Sequence, residues 1–164
     1  MQVIQAEIVD QIWSRIAGFN EEKAMQLIEQ LNDEQPELLA YLMAAPEDFE
    51  DNEAEQMLYV GVVLWQIIKN ANSNLGHISA ELLQDLEDEN VAMMDRLSEE
   101  SEGDSMVLVE EMIQHYPQPH VLVSVSEALI SDDEDPEDGV SDNARGFMML
   151  MLKTALDALI RVAA

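Results

Sequence analysis

The stretch Met57-Leu58-Tyr59-Val60-Gly61-Val62-Val63-Leu64-Trp65-Gln66-Ile67-Ile68 decides the fold of this chain. It is apolar on nearly every side, which places it inside a protein. Its Val and Ile content makes a buried strand the competing reading. Its length and the helix formers around it favour a central buried helix. It is shorter than the roughly 20 residues that cross a bilayer. Gly61, at its middle, would let another backbone approach closely.

On the N-terminal side, Ile4, Ile8, Ile12 and Ile16 recur at i, i+4, with Val9 and Trp13 widening the face, and mark a first amphipathic helix. Gly18 stops it. Asn20 is a good N-cap for a second helix, and Glu21 and Glu22 suit its positive end. Met25, Leu27, Ile28 and Leu31 supply its apolar side. Asp33 and Pro36 restart the chain into a short third helix, Glu37 to Ala45, closed by Pro46. An acid cluster, Glu47 to Glu55, then leads into the central segment.

On the C-terminal side, Asn70 to Gly76 reads as a polar loop. Ser79 and Glu81 open a long helix to about Glu100, with Leu82, Leu83, Leu86, Met93, Met94 and Leu97 inward. Asp104 or Ser105 caps the next, with Met106, Val109, Ile113 and Tyr116 on one stripe. Pro117-Gln118-Pro119 breaks it. In His120 to Ile130, Val121, Val123 and Val125 alternate like a strand. Leu122, Val125 and Leu129 fit a helix, and an isolated strand would have no partner, so the segment is read as helix. Ser131 to Asp142 is an acidic loop. Arg145 to Val162 forms a last helix, rich in Met and Leu and apolar on most sides.

The expectation is an all-α fold, an irregular helical bundle of about seven or eight helices. It occupies residues 1–164 as one domain, with a short-helix N-terminal unit over 1–46, a main bundle over 52–164 and the acidic loop over 131–142. No period of 20 to 50 residues marks a repeat array.

Charge sets the function classes. Thirty-five Asp and Glu stand against seven Lys and Arg, a formal net charge of −28. Disordered acidic chains are poor in apolar residues, whereas 48% of this chain is hydrophobic with helical spacing, so the acids coat a folded surface. Such a surface repels nucleic acid and anionic membrane and attracts basic protein. The absence of Cys excludes disulfides, thiolate metal sites and a cysteine nucleophile, and fits a reducing cytoplasm. Met1-Gln2-Val3-Ile4, followed by Glu7 and Asp10, has neither a basic n-region nor a cleavage site. The chain is read as cytoplasmic.

The sharpest site pattern is an acidic stripe. Glu81, Asp85, Asp88, Asp95, Glu99 and Glu102 follow a 4, 3, 7, 4, 3 spacing, with Ala92 at the one uncharged position. On a helix these share a face, each step rising about 5 Å. That is of the order of the separation of successive phosphates along a strand, so the row could imitate a nucleic-acid backbone. A solvated helix face explains the same spacing. If Glu99 and Glu102 lie past the helix end, the stripe is shorter.

Catalytic and metal motifs are weak. An EF-hand started at Asp133 places Asp138 where Gly is required and Ala144 where the bidentate Glu belongs. ExxE pairs occur at Glu34/Glu37, Glu47/Glu50, Glu50/Glu53, Glu99/Glu102 and Glu134/Glu137, and ExxD at Glu7/Asp10, mostly at helix ends or in loops. His77, His115 and His120 form no ExxH, HxxxH or HExxH. His115 and His120 could meet across the proline turn. Neither a GxSxG elbow nor a Gly-rich phosphate cradle occurs. No catalytic residue, metal or cofactor is assigned. Met148, Met149 and Met151 offer core filling or, less simply, an adaptable homodimer face.

Three function classes follow. The leading one is a non-enzymatic acidic interaction module (adaptor, inhibitor or immunity-type) that takes a basic protein partner, without binding nucleic acid or membrane. The second is a nucleic-acid mimic that occupies the groove of a DNA- or RNA-binding protein. The third is a carboxylate-metal nucleotide hydrolase.

Overall fold

A computed structural model of the chain describes residues 1–44, 46–47, 49–130 and 142–163. Among the described residues there are eight helices and no strand, and the all-α expectation holds. In chain order they are α1 (Ala6–Ala17), α2 (Glu21–Glu34), α3 (Pro36–Met43), α4 (Asp51–Ala71), α5 (Ala80–Glu99), α6 (Glu102–His115), α7 (Pro119–Ile130) and α8 (Asp142–Val162). The acidic loop expected over 131–142 lies outside the described residues, except for Asp142, which opens α8.

The two longest helices, α4 and α8, pack on each other at the centre. α4 buries Met57, Val60, Val63, Leu64, Trp65, Ile67 and Ile68, and α8 buries Met148, Leu152, Leu156 and Leu159. α8 also meets α3, α5 and α7, and α4 meets α1, α2, α3 and α7. α1 lies chiefly against α4 and α7, while α2 and α3 lie against each other and α4. One continuous apolar core, from Ile4 to Ala163, joins these elements.

Helix starts follow local chemistry. The Asn20 side chain accepts the Lys23 N–H at 2.9 Å, and Ser79 Oγ accepts the Leu82 N–H at 3.0 Å. α4 begins six residues before its apolar run, inside the acid cluster. There Glu50 and Glu53 form a reciprocal capping box, and their charges suit the helix's positive end. α6 likewise starts earlier than the capping position at Asp104 or Ser105 expected from sequence. Ser101 caps it, accepting the Asp104 N–H at 3.3 Å, and the Ser105 hydroxyl turns back to the carbonyl of Leu97.

Three apolar patterns differ from their sequence reading. Ile4 is buried but precedes α1, and Ile8 is 36% exposed, so the inward face of α1 is Val9, Ile12 and Ile16. α7 buries Val121, Leu122, Val125 and Leu129 at helical spacing, which settles the helix over the strand. Gly61 admits a side chain and not a second backbone. A Cβ placed there would stand 2.5 Å from Cδ1 of the buried Leu42 of α3.

Two buried glutamines fasten the loops. Gln35, between α2 and α3, donates to the Gly76 carbonyl at 2.8 Å and accepts the Ile78 N–H at 2.9 Å. Gln118, at the proline turn, accepts the Ile4 N–H at 2.8 Å and donates to the Gln2 carbonyl at 2.9 Å. Each side-chain amide thus replaces a peptide unit, satisfying one donor and one acceptor that no helix supplies.

Candidate functional site

α5 carries its chemistry on opposite faces. Inward, Leu83, Leu86 and Asn90 are buried. Asn90 follows Glu87-Asp88-Glu89 in sequence, yet it faces α8. Its amide donates to Thr154 Oγ1 and to Asp157 Oδ2, both at 3.0 Å. The Lys153 ammonium donates to Asn90 Oδ1 at 2.7 Å and to Asp157 Oδ2 at 2.9 Å. The Tyr116 hydroxyl donates to Asp157 Oδ1, and Lys153 lies 5.4 Å from the Tyr116 ring centroid. Nearby, the Tyr41 hydroxyl donates to Glu87 Oε1 at 3.0 Å. Burial raises the Tyr116 hydroxyl far above the ordinary tyrosine value, and the Asp157 carboxylate beside it raises it further. Burial raises Tyr41 as well; a hydrogen bond with Thr154 opposes this, and Glu87 adds to it.

This cluster has the composition of a structural lock. Its members pair mostly with one another, and the Thr154 hydroxyl donates to the Leu150 carbonyl at 2.8 Å, in the manner of a satisfied buried polar network. It fixes α5 against α8 in one rotation, and that rotation turns the opposite face of α5 to solvent.

That outer face is the acidic stripe. Glu81, Asp85, Asp88, Asp95 and Glu99 are all exposed on α5. Asp88 accepts a hydrogen bond from Gln84 at 3.0 Å. Glu102 is exposed too, but it is the first residue of α6, beyond the break at Glu100 and Ser101. The continuous row therefore has five members, and the sixth belongs to the next helix.

Beside the stripe, α5 and α6 form a helical hairpin with a groove of about 590 Å³ between them. Met93, Leu97, Leu108 and Met112 give it apolar walls, and Arg96, Glu99 and Glu100 also line it. Met93, Met94 and Leu97 read as inward from sequence but none is buried, because α5 outruns the core beyond Asn90. α6 departs further from expectation. It buries no side chain, and Met106, Val107 and Leu108 are 61%, 54% and 42% exposed. Ile113 and Tyr116 alone of the expected stripe are packed against the core.

A second groove, of about 470 Å³, lies between α1, α2 and α4. Phe19, Leu27, Leu58 and Tyr59 are among the side chains that line it, and Glu55 is its one charged lining residue among the described residues.

The remaining candidates stay apart. Glu34 pairs with Lys69 at 2.6 Å, while Glu37 stands in the first turn of α3. Glu50 and Glu53 are engaged in helix capping, and Glu7 and Asp10 are exposed on α1. Glu99 and Glu102 are on different helices. Glu134/Glu137 and the calcium-like stretch Asp132 to Asp138 lie outside the described residues. His77, His115 and His120 are all exposed. Among the described residues no three His, Asp or Glu are placed to hold a metal ion. No described helix is long and apolar enough to cross a membrane. Met148 and Met151 are buried in the chain's own core and Met149 is half-buried.

Comparison with protein-family models, with curated proteins and with solved structures gives no match to this chain.

Proposed function

We propose that this chain is an acidic protein-interaction module whose partner is a basic protein. One observation carries the reading: an excess of 28 negative charges on a folded helical chain. If every Lys and Arg neutralised one carboxylate, that excess would remain. A field of one sign raises the encounter rate with complementary surfaces and rejects surfaces of like sign. The chemistry offered outward is a field and a shape, and the reading is non-enzymatic.

A second reading, the nucleic-acid mimic, has its own support in the exposed row Glu81, Asp85, Asp88, Asp95 and Glu99. At about 1.5 Å per residue the row extends roughly 27 Å along α5. The partner would then be a DNA- or RNA-binding protein and the target its nucleic-acid groove.

Affinity capture from a native lysate at low salt, with elution by rising salt, tests the first reading. The proteins retained should be basic and should elute as screening increases. If they are no more basic than the lysate as a whole, the reading fails. Duplex DNA added as competitor separates the two: displacement of the captured partner supports the mimic, and retention supports the general module.

A further inference from the structure

The groove between α5 and α6 is lined by half-buried and exposed side chains, and its composition specifies what would fill it. α6 is a helix of 14 residues that buries none of its side chains. Isolated helices of that length are marginal in water, and helices in proteins take most of their stability from a packed apolar face. Here Ile113 reaches the core, but most of the apolar side chains of α6 are half-buried or exposed. Leu108 is exposed on the groove wall, and Met93, Leu97 and Met112 beside it are only half-buried; Met106 and Val107 on α6 and Val91 and Met94 on α5 are exposed on the same two helices. An apolar groove open to solvent, on helices that expose further apolar side chains, marks an interaction surface.

Charge identifies the occupant. Residues 80–115, which span the hairpin, hold twelve carboxylates and one arginine, Arg96. Glu99 and Glu100 line the groove itself, and Asp95, Glu102 and Asp104 are exposed on the two helices that form it. An apolar slot with an acidic rim is complementary to an amphipathic helix with one apolar stripe and a Lys- or Arg-rich remainder. Methionine walls adapt to different apolar anchors without a fixed shape. The groove between α1, α2 and α4 lacks this signature, because Glu55 is its one charge among the described residues.

The geometry points to the α5–α6 groove as the docking site for a basic amphipathic helix of the partner. Apolar residues of that helix at i, i+3 or i+4, and i+7 fill the slot between Met93, Leu97, Leu108 and Met112. Its cations meet Glu99, Glu100 and their neighbours. This inference rests on the acidic-module reading and specifies the partner's binding element.

The test uses the full chain and two synthetic peptides of identical Leu and Lys composition, each roughly 18 residues or five helical turns long. One is patterned as an amphipathic helix and the other is scrambled. Calorimetry should find the patterned peptide binding at least about tenfold more tightly than the scrambled one. Leu108→Gln changes an exposed side chain and should weaken the patterned peptide by about tenfold, the loss expected from removing an apolar anchor. Glu99→Lys with Glu100→Lys should weaken it comparably and reduce its salt dependence. Equal binding of both peptides, unchanged by Leu108→Gln, overturns the groove and leaves the acidic-module reading standing. No salt-sensitive binding of either peptide overturns both. Tight self-association of the chain that Leu108→Gln abolishes assigns the groove to a second copy and also overturns the inference.

Discussion

The ammonium of Lys153 on α8 ends 2.7 Å from the side-chain oxygen of Asn90 on α5, and Asn90 is only 3% exposed. Asn90 uses its oxygen for Lys153 and its nitrogen for Thr154 and Asp157, so no apolar replacement satisfies the groups around it. Asn90→Ala should cost on the order of 3 kcal/mol, since buried donors and acceptors lose their partners together. Exposed Asp88→Ala, two residues away, should stay within about 0.5 kcal/mol of the parent. Urea denaturation measures both. A loss below about 1 kcal/mol for Asn90→Ala would remove the lock between α5 and α8.

Tyrosine ionisation makes the fold sensitive to alkali. All three tyrosines, Tyr41, Tyr59 and Tyr116, have hydroxyls raised above the ordinary value near 10, with burial the largest cause in each. Above about pH 10 the unfolded chain releases these protons while the folded chain holds them, so the unfolded state binds fewer protons and stability falls. Their contribution is fully present below about pH 10 and is lost as pH rises beyond it. The melting temperature should drop above that pH, and Tyr116→Phe should make the drop shallower. Phenolate absorbance should appear later in the native protein than in urea. Coincident titrations in the two conditions would refute the assignment.

Gly61 and Leu42 should couple. Ala at residue 61 gains about 1 kcal/mol of helix propensity but must displace a buried leucine, an overpacking cost of about 1–3 kcal/mol. Gly61→Ala is expected to be net destabilising. Leu42→Ala alone should cost about 2–5 kcal/mol, and the double variant less than the sum, because the new methyl enters the space the leucine leaves. Additive losses in the double-mutant cycle would show that the close approach carries no energetic weight.

Salt should stabilise the fold. Raising ionic strength from low to physiological shortens the range of carboxylate repulsion to about 8 Å, so the melting temperature should rise over that interval. A flat or falling curve would mean that attractive ion pairs outweigh the repulsion.

The acidic stripe should act on encounter. Charge reversal at Glu81, Asp85, Asp88 and Asp95 should slow association with a basic partner more than it speeds dissociation. The same four-charge change at Glu7, Glu21, Glu22 and Glu29, all exposed on α1 and α2, alters net charge equally. Stopped-flow association rates compare the two sets. Equal slowing by both would leave only global charge and end the mimic reading.

What could be read from the sequence was the local part. Asn20 and Ser79 cap their helices because capping needs only a side-chain oxygen and an N–H three residues on. The start of α4 was obscured because its capping box lies in an acid cluster, where Glu50 and Glu53 resemble their neighbours. Asn90 was hidden in the same way. Its position seven residues after Leu83 and four after Leu86 puts it on the inner face, but its partners are more than sixty residues away. Lys153 and Asp157, one turn apart in a Met- and Leu-rich stretch of α8, were the visible trace of that network. The exposure of α6 left no trace, because its apolar stripe looks the same whether or not the chain supplies a cover. The stripe residues were nameable from spacing, but the break after Glu99 depends on Ser101 and not on charge.

The helix at the centre of this bundle is also the last of the described helices in chain order. Ribosomes deliver the N-terminus first, so Trp65 and the apolar surface of α4 emerge before α8 exists to cover them. Residues 72–141 must be made in between, which takes several seconds at about 5–20 residues per second. Through that interval the nascent chain carries uncovered hydrocarbon, the condition under which growing polypeptides stick to one another. Fourteen of its 35 carboxylates precede residue 72 and 19 more are added over residues 72–141, and like-charged chains keep their distance. Repulsion between nascent chains thus acts during the same interval in which α4 is uncovered.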